Sequence, residues 1–336
     1  MSILSRERNA EFGVCGGRQM PVIRYVEINR LTGSAMLPLM KAEAGMWLAD
    51  LGWDYSIVQQ ILLYLIREKM LPGYAAFSGG KNPDGYVYFL ASRTRGSIGA
   101  CYVTPATPPD KAREITDGLL ELAISRLQGS GEISRIETQM FAFHGQDYAP
   151  VFNKYGFRRY PRLYLVRGVD SDAAEEEPTA PVKIIPWDSA LMAPAAGMTA
   201  ASYLNHQDYE ILEDYHTPAN CENYLQGLVT KPGCGVFLQD ASFMCVDGGG
   251  APCGYVICSR ISDGRAMIPQ IAAHPAWQGR GIGTALMSRC LRQLKAMNFN
   301  SLSLVVTAEN SRALEWYRRM GFQPVREFNA FIWNRT

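Results

Sequence analysis

The chain has 336 residues, 47% of them hydrophobic and 19% charged, with 33 basic against 32 acidic side chains. Single cores stop growing at about 250–300 residues, so this length asks for two domains, and this composition excludes a disordered chain. The balanced charge excludes the basic stripe of a nucleic-acid binder, and the longest apolar run, near 61–66, falls far short of the about 20 residues of a membrane span.

A short extension over 1–20 comes first. Its opening residues, Met1 to Arg8, show no apolar leader, so a cytoplasmic location is expected. A strand-like run follows at 22–26. The pattern then predicts a helix over 54–70, strands over 73–77, 86–91 and 97–103, a helix over 110–127, and strands over 133–140 and 157–166. The stretch 170–181 is acidic, closes on two prolines and has no large apolar residue, which places a linker over 169–181. Beyond it come a strand over 182–186, a helix over 188–204 and a second helix over 217–229. Thr217 would cap that second helix, with Pro218 at its first position. A hairpin follows, 241–247 paired with 253–261 across Gly248-Gly249-Gly250. The chain closes with a strand over 265–274, a glycine-rich loop, a helix over 282–297, a strand over 301–306, a helix over 311–320 and a last strand after Phe322.

The halves repeat. Pro21-Val22 and Pro181-Val182 open matching strands, and Gly156-Phe157 matches Gly321-Phe322 at nearly the same offset. Near-equal offsets with the same order of elements indicate a duplicated domain. The domains are therefore expected at 21–168 and 182–336.

Eight cysteines, Cys15, Cys101, Cys221, Cys234, Cys245, Cys253, Cys258 and Cys290, form no CxxC pair. None sits beside a histidine at zinc spacing, so reduced and mostly buried thiols are expected. Only His144, His206, His216 and His274 could add imidazole, and no metal is expected.

The most specific segment is Gln278-Gly279-Arg280-Gly281-Ile282-Gly283, which follows a strand and opens an amphipathic helix. The first N–H groups of a helix have no intrahelical acceptor and lie at the positive end of its dipole, so this is an anion site by geometry. Gly281 and Gly283 would let the backbone approach a diphosphate and take positive φ. A plain glycine turn would need neither Gln278 nor Arg280. A dinucleotide fold would place its glycines after the first strand of a parallel unit, and a P-loop would need Gly-Lys-Ser/Thr.

Two segments carry a resemblance. Gln278 to Gly283 is similar to the Q/R-x-x-G-x-G/A signature of the GNAT superfamily, the acyl-CoA-dependent N-acyltransferases. Asn310-Ser311-Arg312-Ala313-Leu314-Glu315-Trp316-Tyr317-Arg318-Arg319-Met320-Gly321-Phe322 resembles the family's N-x-x-A-x-x-x-Y-x-x-x-G-F segment, at the expected distance. The resemblance covers about 182–333. It implies an α/β (α+β) fold of two tandem GNAT-like domains, each a mixed, mainly antiparallel sheet flanked by helices. The sheet would splay between its fourth and fifth strands to admit acetyl-CoA as co-substrate. By motif match, Gln278, Gly279, Arg280, Gly281, Ile282, Gly283 and Thr284 would hold the pyrophosphate. Ile271, Ala272 and Ala273 would line pantetheine, and Asn310 and Ala313 would contact CoA. Tyr317 matches the family's general acid, and a phenol suits that role because it stays protonated at neutral pH. Relatives with a glutamate base carry it on the fourth strand, where this chain has Gln270; a water chain or a carboxylate from elsewhere would then take the amine's proton. Asp208, Glu210, Asp214 and His216, with Gln270, are the candidates for the acceptor pocket, and His274 sits at the loop rim.

Projected back by the offset of the two Gly-Phe pairs, the loop falls on Arg113 to Gly118, which reads as helix without a Gly-x-Gly. The first half is therefore expected to be a degenerate copy without a CoA loop. The resemblance implies an N-acetyltransferase moving acetyl to a primary amine by direct attack, with a catalytically silent acyl-CoA sensor as the alternative. The partner would be a small-molecule or peptide amine, not nucleic acid or membrane, and the chain would be a monomer or homodimer. Mycothiol synthases share the tandem layout.

Overall fold

The computed structural model describes residues 22–143, 145–169 and 178–335. The extension, Cys15, His144 and most of the expected linker lie outside the described residues. The first half runs β1 (Arg24–Glu27), α1 (Gly33–Leu51), α2 (Ser56–Arg67), β2 (Gly73–Phe77), β3 (Gly85–Ser92), β4 (Arg95–Val103), α3 (Pro109–Gln128), β5 (Arg135–Met140), α4 (Ala149–Lys154) and β6 (Arg158–Gly168). The second begins β7 (Lys183–Pro186), α5 (Met192–Tyr203), α6 (Gln207–Ile211) and α7 (Pro218–Thr230). It continues β8 (Val236–Phe237), β9 (Phe243–Val246), β10 (Pro252–Ser262), β11 (Arg265–Ala273), α8 (Ile282–Ala296), β12 (Ser301–Thr307), α9 (Ser311–Arg319) and β13 (Gln323–Asn334).

Thr217 caps α7 as expected, accepting from the Asn220 N–H, with Pro218 in the first turn. Three helices were not legible in the pattern, one of them α6, whose five residues are too few to show a period. Helix α1 is apolar around most of its surface and contains Pro38, so it shows no stripe; Thr32 caps its start and left-handed Gly52 its end. Helix α4 is too short to show a period.

Among the described residues the strands form one sheet, in the order β1-β2-β3-β4-β5-β13-β6-β12-β11-β10-β9-β7, with β8 beside β10. The order is nearly palindromic, with the turning point between β13 and β6. Each half thus gives its last strand to the other. Strand β13 pairs antiparallel with β5, and β6 pairs antiparallel with β12. Exchanged side chains complete the foreign cores. Phe328 stacks on Phe141 at 4.1 Å and Phe331 on Phe152 at 4.2 Å, while Leu165 of β6 joins the core beneath α8.

The duplication is visible in detail. The bulge between β3 and β4 falls at Gly99, and the one between β10 and β11 leaves Pro269 without a partner at the equivalent point. Past each bulge the next strand separates. β4 and β5 pair only from Arg95↔Arg135 to Ser97↔Glu137, and β11 and β12 only from Arg265↔Ser301 to Ile268↔Leu304. A bulge bends one strand away from its neighbour, so each half opens at the equivalent point of its own strands; three antiparallel steps separate β4 from β11, so the two openings face opposite edges of the sheet.

The back-projection of the glycine loop falls too far along the chain. The halves are more widely offset at α3 and α8, which start at Pro109 and Ile282, than at the two Gly-Phe pairs. Arg113 and Gly118 therefore lie inside α3. The true counterpart of the glycine loop is the short turn Thr104–Pro108, where Pro108 and Pro109 remove N–H donors at the helix start.

Candidate active site

The C-terminal gap lies between β11 and β12, beyond the last paired residues. The His274 N–H donates to the Cys253 carbonyl at 3.0 Å. In an antiparallel pair such contacts alternate, so Ala272 and Gln270 face β10, while Ile271 and Ala273 direct their backbone groups into the gap. The Ala273 carbonyl already accepts from Ser202 Oγ at 3.0 Å and Gln278 Nε2 at 3.3 Å.

At one end of the gap sits the start of α8. Gly279 and Gly281 take φ of 75° and 77°, the left-handed region that favours glycine, and no side chain caps the helix. Gly283, expected to share that conformation, is instead helical; a Cβ there would lie 3.4 Å from the Trp316 ring. Trp316 Nε1 donates to Thr284 Oγ1 at 3.1 Å. Arg280 lies over Trp277, 5.1 Å from its ring centre. Its carbonyl accepts from both the N–H and Oγ1 of Thr179, each at 3.2 Å, which ties the end of the linker to the loop. His274 Nδ1 caps the turn by accepting from Ala276 N at 3.1 Å. Beneath the loop, β10 passes close to α8 because Gly254 has no Cβ; one would meet Ile282 at 2.7 Å.

Tyr317, in the last turns of α9, is 7% exposed and belongs to the core beneath α8. Burial, with the fields of Tyr203 and Asp208, pushes its hydroxyl well above the ordinary phenol range. Asn310 caps α9, its Oδ1 accepting from Ala313 N at 3.1 Å, and its Nδ2 lies 2.8 Å from His206 Nε2.

The acceptor candidates separate in space. Asp208 is held by Arg162 Nη1 at 3.3 Å and by Thr307 Oγ1, and its backbone N–H donates to His206 Nδ1 at 3.1 Å. It stays beside Tyr317. Glu210 accepts from Arg158 and Tyr160 of β6, both at 2.6 Å. Asp214 meets Arg95 at 3.2 Å. These two carboxylates join the halves. His216 stacks on Tyr209 at 4.1 Å, with Nε2 at the Tyr209 carbonyl. Gln270 is buried among tyrosines: its Oε1 accepts from Tyr215 at 2.9 Å and Tyr224 at 3.4 Å, and its Nε2 donates to Tyr203 Oη at 3.0 Å. Sequence reading passed over Tyr203, His206 and Arg162. The pattern His206-Gln207-Asp208 was a signal; Arg162 carried none, because it arrives on the exchanged strand.

Among the described residues no helix is long and apolar enough to cross a membrane, and no group of His, Cys, Asp or Glu is placed to hold a metal. The seven described cysteines are free, and all but Cys234 are buried.

The C-terminal half thus combines parted strands, an uncapped helix start behind a left-handed glycine loop and a buried tyrosine. Residues 203–322 match the family model described as the acetyltransferase (GNAT) family. The match falls within the C-terminal half, and the fold as a whole is like that of GNAT proteins, a tandem one among them. An uncharacterized N-acetyltransferase of Methanocaldococcus jannaschii is 36% identical over 91 residues, 25% of this chain and 40% of that protein. A mycothiol acetyltransferase of Beutenbergia cavernae is 42% identical over 55 residues, 16% of this chain and 18% of that protein. The chain therefore spans less than half the length of these curated relatives. Among solved structures, a GCN5-related N-acetyltransferase from Sphaerobacter thermophilus has a TM-score of 0.62 at 15% identity, covering 93% of this chain and 95% of that one. A tandem GNAT protein from the clavulanic acid biosynthesis pathway has a TM-score of 0.57 at 13% identity, covering 93% and 98%. At such identities the likeness is one of fold.

Proposed function

We propose that this chain transfers an acetyl group from acetyl-CoA to a primary amine in the C-terminal half. The observation that supports this reading most is the uncapped start of α8 behind its left-handed glycines, beside a β11 edge that β12 leaves unpaired after Ile268. The residues fit the group. The free N–H groups of Ile282, Gly283 and Thr284 suit a pyrophosphate, with Arg280 adding charge. The exposed edge of β11 suits an amide-bearing arm. Bound acetyl-CoA would supply the thioester, activated for attack.

The chain's own residues then do three things. A gap-facing N–H of β11 polarises the carbonyl as the nitrogen–carbon bond forms and the carbon–sulfur bond breaks. Tyr317, kept protonated by burial, gives its proton to the departing sulfur. Gln270 cannot accept a proton, so the amine's proton leaves toward Asp208 and His206, the polar groups beside Tyr317. The N-terminal half, whose Thr104–Pro108 turn offers no comparable cradle, positions this machinery through Arg162 and does not carry a second transfer site.

Release of free thiol from acetyl-CoA across a panel of amines tests the reading. Tyr317→Phe should lower kcat by about 100-fold, within the usual range for a lost general acid, with CoA affinity nearly unchanged. Tight CoA binding with no thiol release on any amine would instead favour an acyl-CoA sensor.

A further inference from the structure

The N-terminal half keeps the other end of the gap. Where β4 leaves β5, a cavity of about 260 Å³ remains, smaller than the usual pocket for a drug-sized ligand. It stands where the C-terminal half has Gln270 and its tyrosines, because the bulge residues Gly99 and Pro269 occupy equivalent positions. Gly99 makes the space: a Cβ there would come within 2.1 Å of the Tyr88 ring.

The walls are unlike those of the other half. Trp47 lies flat on Tyr55 at 4.7 Å, and Trp53, Phe141 and Phe143 meet it edge-on at 5.6, 5.4 and 5.5 Å. Among these rings sits Glu43, 3% exposed. Its carboxyl accepts from Trp47 Nε1 at 3.3 Å and from Tyr86 Oη. Burial pushes this carboxyl up to about 7, and no lysine or arginine contributes to its field. A carboxyl that deep normally has a cationic partner; here the protein supplies only neutral donors. Ring faces attract cations, most strongly when water is excluded. Gly233, from the loop after α7, closes one side, so the second half forms part of the wall.

We infer that this cavity is a binding site for a small alkylated ammonium ion, held by the aromatic cage of Trp47, Trp53, Tyr55, Phe141 and Phe143 with Glu43 as its counter-charge. The ligand carries no phosphate to be gripped, since the turn beside it is Thr104–Pro108 rather than a glycine loop. The site is separate from the transfer gap, and its occupancy does not require that acetyl transfer occur.

Trp47 and Trp53 provide the readout. Titrating the full chain with choline while following tryptophan fluorescence should give a saturable change at millimolar concentrations or below. The neutral isostere 3,3-dimethylbutan-1-ol should bind at least about tenfold more weakly. Glu43→Gln and, independently, Ala100→Leu, which fills the cavity from a residue of its wall, should each weaken choline by a similar factor. Saturating CoA should leave the choline curve in place. Equal binding of choline and its isostere, displacement of choline by CoA, or no saturation with choline would each overturn the assignment. The comparison of the two ligands on the unaltered chain holds whether or not either variant folds.

Discussion

At the scale of single residues, a few positions decide the chemistry. Gly281 holds φ of 77° at the head of α8, a conformation that a β-branched residue adopts only as an outlier. Gly281→Val should cost about 1–2 kcal/mol of stability and abolish CoA binding, measured by calorimetry; retained binding would remove the loop from the site. Glu43 makes stability depend on pH. The unfolded chain releases this proton near 4.5 and the folded chain near 7. Between those values the folded state binds more protons, so stability falls as pH rises, by at most about 3 kcal/mol from this group. Urea unfolding at pH 5 and pH 8 should show a larger loss for the parent than for Glu43→Gln. An equal loss in both would place the charge elsewhere. Gly281 was legible from its motif. Glu43 was not, because a glutamate in an apolar helix looks like any other until packing buries it.

At the scale of elements, α8 and α9 act as one piece. Trp316 binds Thr284 at the head of α8, and Asn310 caps α9 while touching His206. At its other end Arg167 of β6 donates to the Met320 carbonyl. Removing the cap with Asn310→Ala should cost about 1 kcal/mol in thermal or urea unfolding. It should also lower turnover, since the same side chain touches His206; unchanged stability would mean that packing alone holds the helix. The periodic helices and strands were readable because each buries one face and marks the other with polar residues. Helix α1 was hidden because its exposed positions include Pro38, Ala42, Gly45 and Leu48, which mark no polar side.

At the scale of the molecule, the exchange of β6 and β13 decides what can fold. Without β6, β12 loses a neighbour and the core beneath α8 loses Leu165; without β13, Phe141 and Phe152 lose their stacking partners. We expect residues 1–169 and 178–336, expressed separately, to be insoluble or molten by circular dichroism and proteolysis, and to recover structure when coexpressed. A stable, cooperative C-terminal fragment would show that the exchange is dispensable. The exchange also explains why two of the acidic candidates serve the junction: Glu210 and Asp214 find arginines of the other half, whereas Asp208 receives Arg162 at the site itself.

The sequence by itself determined the number of halves, their duplication, most of their elements and the loop that opens α8, because these depend on local spacing: glycines that permit positive φ, prolines and caps that start helices, and apolar positions that repeat with the period of a helix or strand. Only the tertiary structure decided which strand each half keeps, that Gln270 is enclosed by tyrosines, and that Glu43 lies in an aromatic cavity. Strand partners are chosen by edges that become available only when two sheets meet. A side chain's burial likewise depends on neighbours far away in the chain, as Arg162 shows by arriving from the other half to hold Asp208.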